Sequence, residues 1–106
     1  NFVRMDYAIV CSMTHMQKMR NFARTMIGNL VEVYLDCDVE TCRNREYKAR
    51  YARALLGEYK FLPGVTDPFE IPANPDLVIN TSKLDLSASF KILLEYCQNI
   101  FIPKLE

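Results

Sequence analysis

The chain has no tryptophan, a single histidine, three glycines and no excess of either charge, and each shortage removes a class of protein. Thirteen basic side chains balance thirteen acidic ones. No global field therefore draws the molecule to nucleic acid or anionic lipid, and a ligand has to be recognised at a local site. With His15 as the only histidine and no two cysteines at C-x-x-C spacing, a zinc site is not expected. No apolar run approaches the ~20 residues that span a bilayer, and no signal-peptide pattern opens the chain, so the expectation is a cytoplasmic protein with no membrane partner. The few glycines form no G-x-x-x-x-G-K-[ST] phosphate loop.

What is present is a chain of 106 residues, half of them apolar. That suffices for one compact core without disulfides or a structural metal. Cys11 and Cys37 fall within or at the ends of apolar strand-like runs, so the cysteines are read as reduced. One domain over residues 1–104 is expected. Leu105-Glu106 reads as a cloning scar, and the start without methionine points to the ordered part of something longer.

Residues 7–13, YAIVCSM, are uninterrupted apolar with β-branched and aromatic members, as in a strand covered on both faces. Thr14 follows as an N-cap. Met16, Met19, Phe22, Ala23, Met26 and Ile27 then recur at helical spacing, with Gln17, Lys18, Arg20, Asn21 and Arg24 on the opposite face and Gly28 as the stop. The methionines read as core filling. Residues 30–37, LVEVYLDC, are the next strand, completing a βαβ unit. Asp38 caps a helix reaching to about Gly57. Residues 61–76 hold four of the five prolines and no periodicity, a length of loop expected of a lid or binding segment. LVIN at 77–80 is a short strand, and Asp85 caps a last helix over 85–101 that buries Leu86, Phe90, Leu93, Leu94, Cys97 and Phe101. The alternation argues an α/β fold, a three-layer parallel sheet with helices on both faces. Ligands then belong at the carboxyl ends of the strands, where Ser12, Thr14, His15, Asp36, Asp38, Asn80, Thr81 and Ser82 lie.

The densest charge lies in residues 43–60, where Arg43, Arg45, Lys48, Arg50, Arg53 and Lys60 face only Glu46 and Glu58. Two readings stand side by side: an anion clamp, or a solvated helix face with Glu46 and Arg50 paired at i, i+4. His15 reads as a surface or capping residue, and no catalytic residue is assigned.

The run from Val31 to Thr81 resembles the adenylylsulfate kinase family. The matching patterns are EVYLD, C-x-x-R ahead of Lys48, A-x-x-G-E-x-K ending at Lys60, D-P-F-E-I-P, and N-P-D-L-V-I-N-T. They hold one register over about fifty residues. NFVRM at the start resembles the family's N-I-R-R-(I/V). The resemblance implies a P-loop kinase-like fold, incomplete because no Walker A segment is present, and ATP-dependent phosphorylation of the 3'-hydroxyl of adenylyl sulfate. The implied cofactors are ATP and Mg2+, and the implied partner is the nucleotide substrate. Residues 42–72 would be the lid. Arg45, Lys48 and Thr81 would lie at the ATP, and Asn1, Arg4, Met13, Thr14, Lys60, Phe61 and Leu62 at the substrate nucleotide. Family pattern positions differ at Glu46, Ala49, Leu55 and Leu62, which leaves open a kinase for another nucleotide in a capsule or sugar pathway, or a nucleotide-binding module without chemistry. A sheet lacking its central strand exposes an edge, so a homodimer is also expected.

Overall fold

A computed structural model describes residues 7–45, 53–54, 56–57 and 68–101. The regular elements within them are α1 (Gln17–Met26), β1 (Val33–Asp36), α2 (Val39–Arg45), β2 (Leu77–Asn80) and α3 (Leu86–Phe101). The strands are parallel and pair Val33 with Leu77, Tyr34 with Val78, Leu35 with Ile79 and Asp36 with Asn80. Mixed α/β architecture and parallel pairing agree with the sequence reading. The described sheet has two strands, and three layers are not seen in it.

Residues 7–13 are the main departure. They form no strand, and Ile9 and Val10 are 87% and 84% exposed. An apolar β-branched run acquires strand geometry only where a neighbour completes its hydrogen-bond ladder. β1 pairs with β2 on one edge, and no described segment joins the sheet on the other.

α1 is turned over relative to its apolar pattern. Arg20 is buried, whereas Met19, Phe22 and Met26 are exposed. The cause is the irregular segment that α1 packs against. Its backbone groups need partners, and the polar face supplies them: Ala73 N donates to Gln17 Oε1 at 3.0 Å and Arg24 Nη2 donates to the Asn74 carbonyl at 3.3 Å. Thr14 is not the cap. Met16 holds the N-cap position without a side-chain bond, and Glu70 Oε1 accepts the Gln17 amide at 2.6 Å in its stead. The helix stops at Ile27, whose extended backbone (φ −120°) ends it one residue before Gly28.

Asp38 and Asp85 do cap the later helices. Thr41 N donates to Asp38 Oδ1 at 2.7 Å, and Ala88 N donates to Asp85 Oδ1 at 2.8 Å. The expected helix from Asp38 to about Gly57 is seen as α2 and again at Arg53–Ala54; Gly57 follows with φ +82°, a left-handed turn that favours glycine. Residues 46–52, with the Glu46 and Arg50 pair, lie outside the described residues. α3 packs on β2. That contact is narrower than the apolar stripe: Leu93, Cys97 and Phe101 are half-buried, while Leu86, Phe90 and Leu94 are exposed. Tyr7 meets the end of α3, its ring edge-on to Phe101 at 5.5 Å and its hydroxyl donating to the Phe101 carbonyl.

The centre of this packing is Ile79, 1% exposed on β2. Ile79→Ala should lower unfolding free energy by about 2–5 kcal/mol in urea denaturation, because a cavity is added to the lost transfer energy.

One carboxylate joins three of these parts. Asp76 Oδ2 accepts Glu32 N at 2.7 Å and Arg24 Nη2 at 2.8 Å. The Glu32 amide and, less strongly, the Arg24 guanidinium hold this carboxyl below the usual carboxylate range against the opposing effect of burial. A depressed value contributes stability that is complete above the unfolded pKa of about 3.9 and is lost as pH falls through the folded one. Asp76→Asn should therefore cost about 1 kcal/mol at neutral pH, a figure kept small by the 34% side-chain exposure of Asp76. It should also flatten the fall in denaturation midpoint below about pH 4.

Candidate functional site

The carboxyl ends of β1 and β2 meet through Thr81. Its amide donates to the Asp36 carbonyl at 2.9 Å and its hydroxyl donates to the same oxygen at 3.4 Å. Arg45, at the end of α2, donates from Nη1 to the Thr81 carbonyl at 2.7 Å. Two residues that the sequence placed at one ligand, 36 positions apart, are thus in direct contact. The turn is tightened by Asn80 Oδ1, which accepts the amides of Ser82 and Lys83 at 3.1 and 3.2 Å. Ser82 Oγ accepts the Asp38 amide at 3.0 Å. Asp38 is held below the usual carboxylate range by the Thr41 amide first, then by the hydroxyls of Thr41 and Ser82.

A second group lies on the sheet beside α1. The ring of Phe69 stacks on Tyr34 with centroids 6.1 Å apart and planes 19° apart, and the Arg20 guanidinium carbon sits 5.2 Å from the Phe69 centroid. Arg20 is 6% exposed, so this cation–π contact is desolvated. Its Nε donates to the Thr14 carbonyl at 2.9 Å and its Nη1 to Gln17 Oε1 at 3.2 Å, while Nη2 is buried without a hydrogen-bond partner. Tyr34 donates to Asp36 Oδ1 at 3.2 Å. Burial pushes its phenol upward, as do the charge of Asp36 and the hydrogen bond to it, and Arg20 opposes them.

Thr14, expected at the substrate, has φ +34°, a left-handed conformation that a β-branched residue rarely adopts. The Arg20 bond to its carbonyl holds that conformation in place. Met13 beside it is half-exposed. Asn1, Arg4, Lys48, Lys60, Phe61 and Leu62 lie outside the described residues. Sequence reasoning missed Arg20, which it put on the solvent face, and it assigned no part to Tyr34, Phe69 or Glu70. The available signal was the spacing of Gln17, Arg20 and Arg24 on one helix face together with D-P-F-E-I-P. Among the described residues, no group of three or more histidine, cysteine or acidic side chains is placed to hold a metal ion, and no helix is long and apolar enough to cross a membrane.

The sequence pattern of the adenylylsulphate kinase family matches residues 1–80. The adenylyl-sulfate kinase of Halothermothrix orenii is 37% identical over 94 residues, 88% of this chain and 51% of its own length. That of Bacteroides thetaiotaomicron is 38% identical over 89 residues, 82% of this chain and 42% of its own. An adenylyl-sulfate kinase of Clostridium kluyveri is 42% identical over 64 residues, 59% and 32% of the two chains. The chain thus spans about half the length of the curated relatives it matches, or less. No solved structure matches it significantly.

The Arg20 arrangement yields a two-part expectation. Arg20→Ala should destabilise the fold by about 2–3 kcal/mol, through loss of charge-assisted bonds to Thr14 and Gln17. Because Arg20 holds the Tyr34 phenol down, the same variant should shift phenolate formation, followed by ultraviolet titration, to still higher pH.

Proposed function

The chain belongs to the adenylylsulphate kinase family, and from that premise we propose that it serves ATP-dependent phosphorylation of the 3'-hydroxyl of adenylyl sulfate. The observation that carries this reading is the docking of Arg45 on Thr81 at the carboxyl ends of two parallel strands. Ligands of open parallel α/β sheets bind at that edge. In this reading β1 and β2 are neighbours in a larger three-layer, P-loop kinase sheet, residues 1–104 form one domain, and residues 42–72 are its lid.

Phosphoryl transfer asks a protein mainly for positioning and for cations around the transferring group. Arg45 suits the ATP side: an exposed guanidinium with several donors, oriented by the Thr81 carbonyl. The family resemblance assigns Lys48 to the same side. The same resemblance assigns Met13 and Thr14 to the substrate nucleotide, with Asn1, Arg4, Lys60, Phe61 and Leu62. Mg2+, which the family resemblance implies, would neutralise charge on the ATP phosphates. The reading places the protein in the cytoplasm, as a homodimer.

Release of ADP by the protein, together with whatever flanks residues 1–106 in its native chain, tests the proposal with adenylyl sulfate and other nucleotides offered in turn. Turnover with adenylyl sulfate above the ATPase background is expected. Background rates with every nucleotide would overturn it. Leu62 stands where the family resemblance puts a stacking aromatic, so adenine loses a contact worth roughly 1–3 kcal/mol. Lys60 keeps the charge that the resemblance sets against a phosphate or sulfate, and a charge contact tolerates displacement better than a stack does. Lys60→Ala should therefore lower kcat/KM by about tenfold or more and Phe61→Ala by less. The reverse order would show that the lid is out of register.

A further inference from the structure

Cys37 and Cys42 flank the start of α2. Cys37 precedes the capping Asp38, and Cys42 is the fourth residue of the helix. In many helices these two positions carry an apolar pair that packs across the cap; here both are half-buried reduced thiols. The Cys42 thiol donates to the Cys37 carbonyl at 3.9 Å. Around Cys37 gather the Thr81–Ser82 turn and the Arg45 guanidinium, all tied together by the bonds that fix the strand ends. Burial pushes the Cys37 thiol up, but hydrogen bonds from Ser82, Cys42 and Thr81 and the charge of Arg45 bring it below its ordinary value. Such surroundings favour the thiolate, the nucleophilic form. Cys11, by comparison, is exposed and far from this cluster in sequence, and Cys97 lies half-buried on α3.

We propose that Cys37 and Cys42 form a redox-responsive thiol pair that exchanges with low-molecular-weight disulfides of the glutathione type. Cys37 gives its proton to solvent, and the thiolate attacks one sulfur of the disulfide, forming a Cys37–glutathione bond, breaking the S–S bond and releasing one glutathione thiolate that takes a proton back from solvent. The Cys42 thiolate then attacks Cys37 Sγ. This forms the Cys37–Cys42 disulfide and expels the second glutathione, so two protein thiols are oxidised and one disulfide is reduced to two thiols. The bond would close across the cap of α2, the helix that ends at Arg45 and its bond to the Thr81 carbonyl. The thiol chemistry stands independently of the nucleotide reading; only the consequence for ATP binding rests on it.

The test exposes the whole protein to glutathione buffers of increasing oxidised fraction, quenches with acid, alkylates the remaining thiols and maps the peptides by mass spectrometry. The expected product is a Cys37–Cys42 linked peptide, two hydrogens lighter than the reduced one, formed several-fold faster than adducts at Cys11 or Cys97. Cys42→Ser should stop at the Cys37–glutathione adduct. Cys37→Ser should slow modification of Cys42 several-fold. If either variant fails to fold by circular dichroism, the wild-type partition between linked peptide and adduct decides the matter alone. Adducts at Cys11 appearing as fast as at Cys37, or wild-type protein retaining glutathione on Cys37 without closing the link, would overturn the proposal. Weaker nucleotide retention by the linked form would extend it to the ATP site. Unchanged retention would confine it to the thiols and leave the kinase reading to its own assay.

Discussion

The Asp76 carboxylate is the constraint from which the rest of the arrangement follows. It closes a two-way link to Glu32, whose amide it accepts while the Asp76 and Leu77 amides donate to the Glu32 carbonyl. That link stands immediately before β1 and β2 and sets their register, since Val33 must then face Leu77. A slip of one residue would turn Ile79 out of the core and Val78 into it. The same carboxylate holds Arg24, so the register of the sheet and the seating of α1 depend on one side chain.

The register carries forward to the far end of the strands. With Asp36 opposite Asn80, Thr81 falls where its amide reaches the Asp36 carbonyl, and Ser82 falls where its hydroxyl receives the Asp38 amide. The cap of α2 is thereby fastened to the turn after β2. Arg45, one helix length away, closes the loop by donating to Thr81. Backbone pairing, helix capping and the placement of a candidate phosphate-facing cation are one connected set of hydrogen bonds, with Cys37 and Cys42 inside it. Chemistry at those sulfurs would reach Arg45 by a short covalent path.

α1 shows the opposite balance between apolar burial and polar satisfaction. Its methionine and phenylalanine stripe would bury more apolar area than the face it uses. Yet the segment from Phe69 to Asp76 carries backbone groups that cost more unpaired than an apolar side chain costs exposed. Gln17, Arg20 and Arg24 meet that need, and Arg20 adds a ring contact with Phe69. The price is a buried guanidinium nitrogen without a partner and a left-handed threonine, both beside the residues expected at the substrate.

Local chemistry made several features legible in the sequence. An Asp just ahead of a helical run can accept the amide three residues on, so Asp38 and Asp85 could be read directly; LVIN and the VYLD half of LVEVYLDC carry strand propensity in their own side chains, and a match spread in one register over about fifty residues identified the family. Features that depend on a second segment could not be read this way. Residues 7–13 have the composition of a strand, but a strand also requires a neighbour, and composition cannot supply one. The cap of α1 comes from Glu70, 53 positions along the chain, and the face that α1 buries was decided by the unpaired backbone of the segment beneath it. Periodicity reports which face of a helix is apolar. Which face is buried depends on what lies opposite, and that is settled only when the chain has folded.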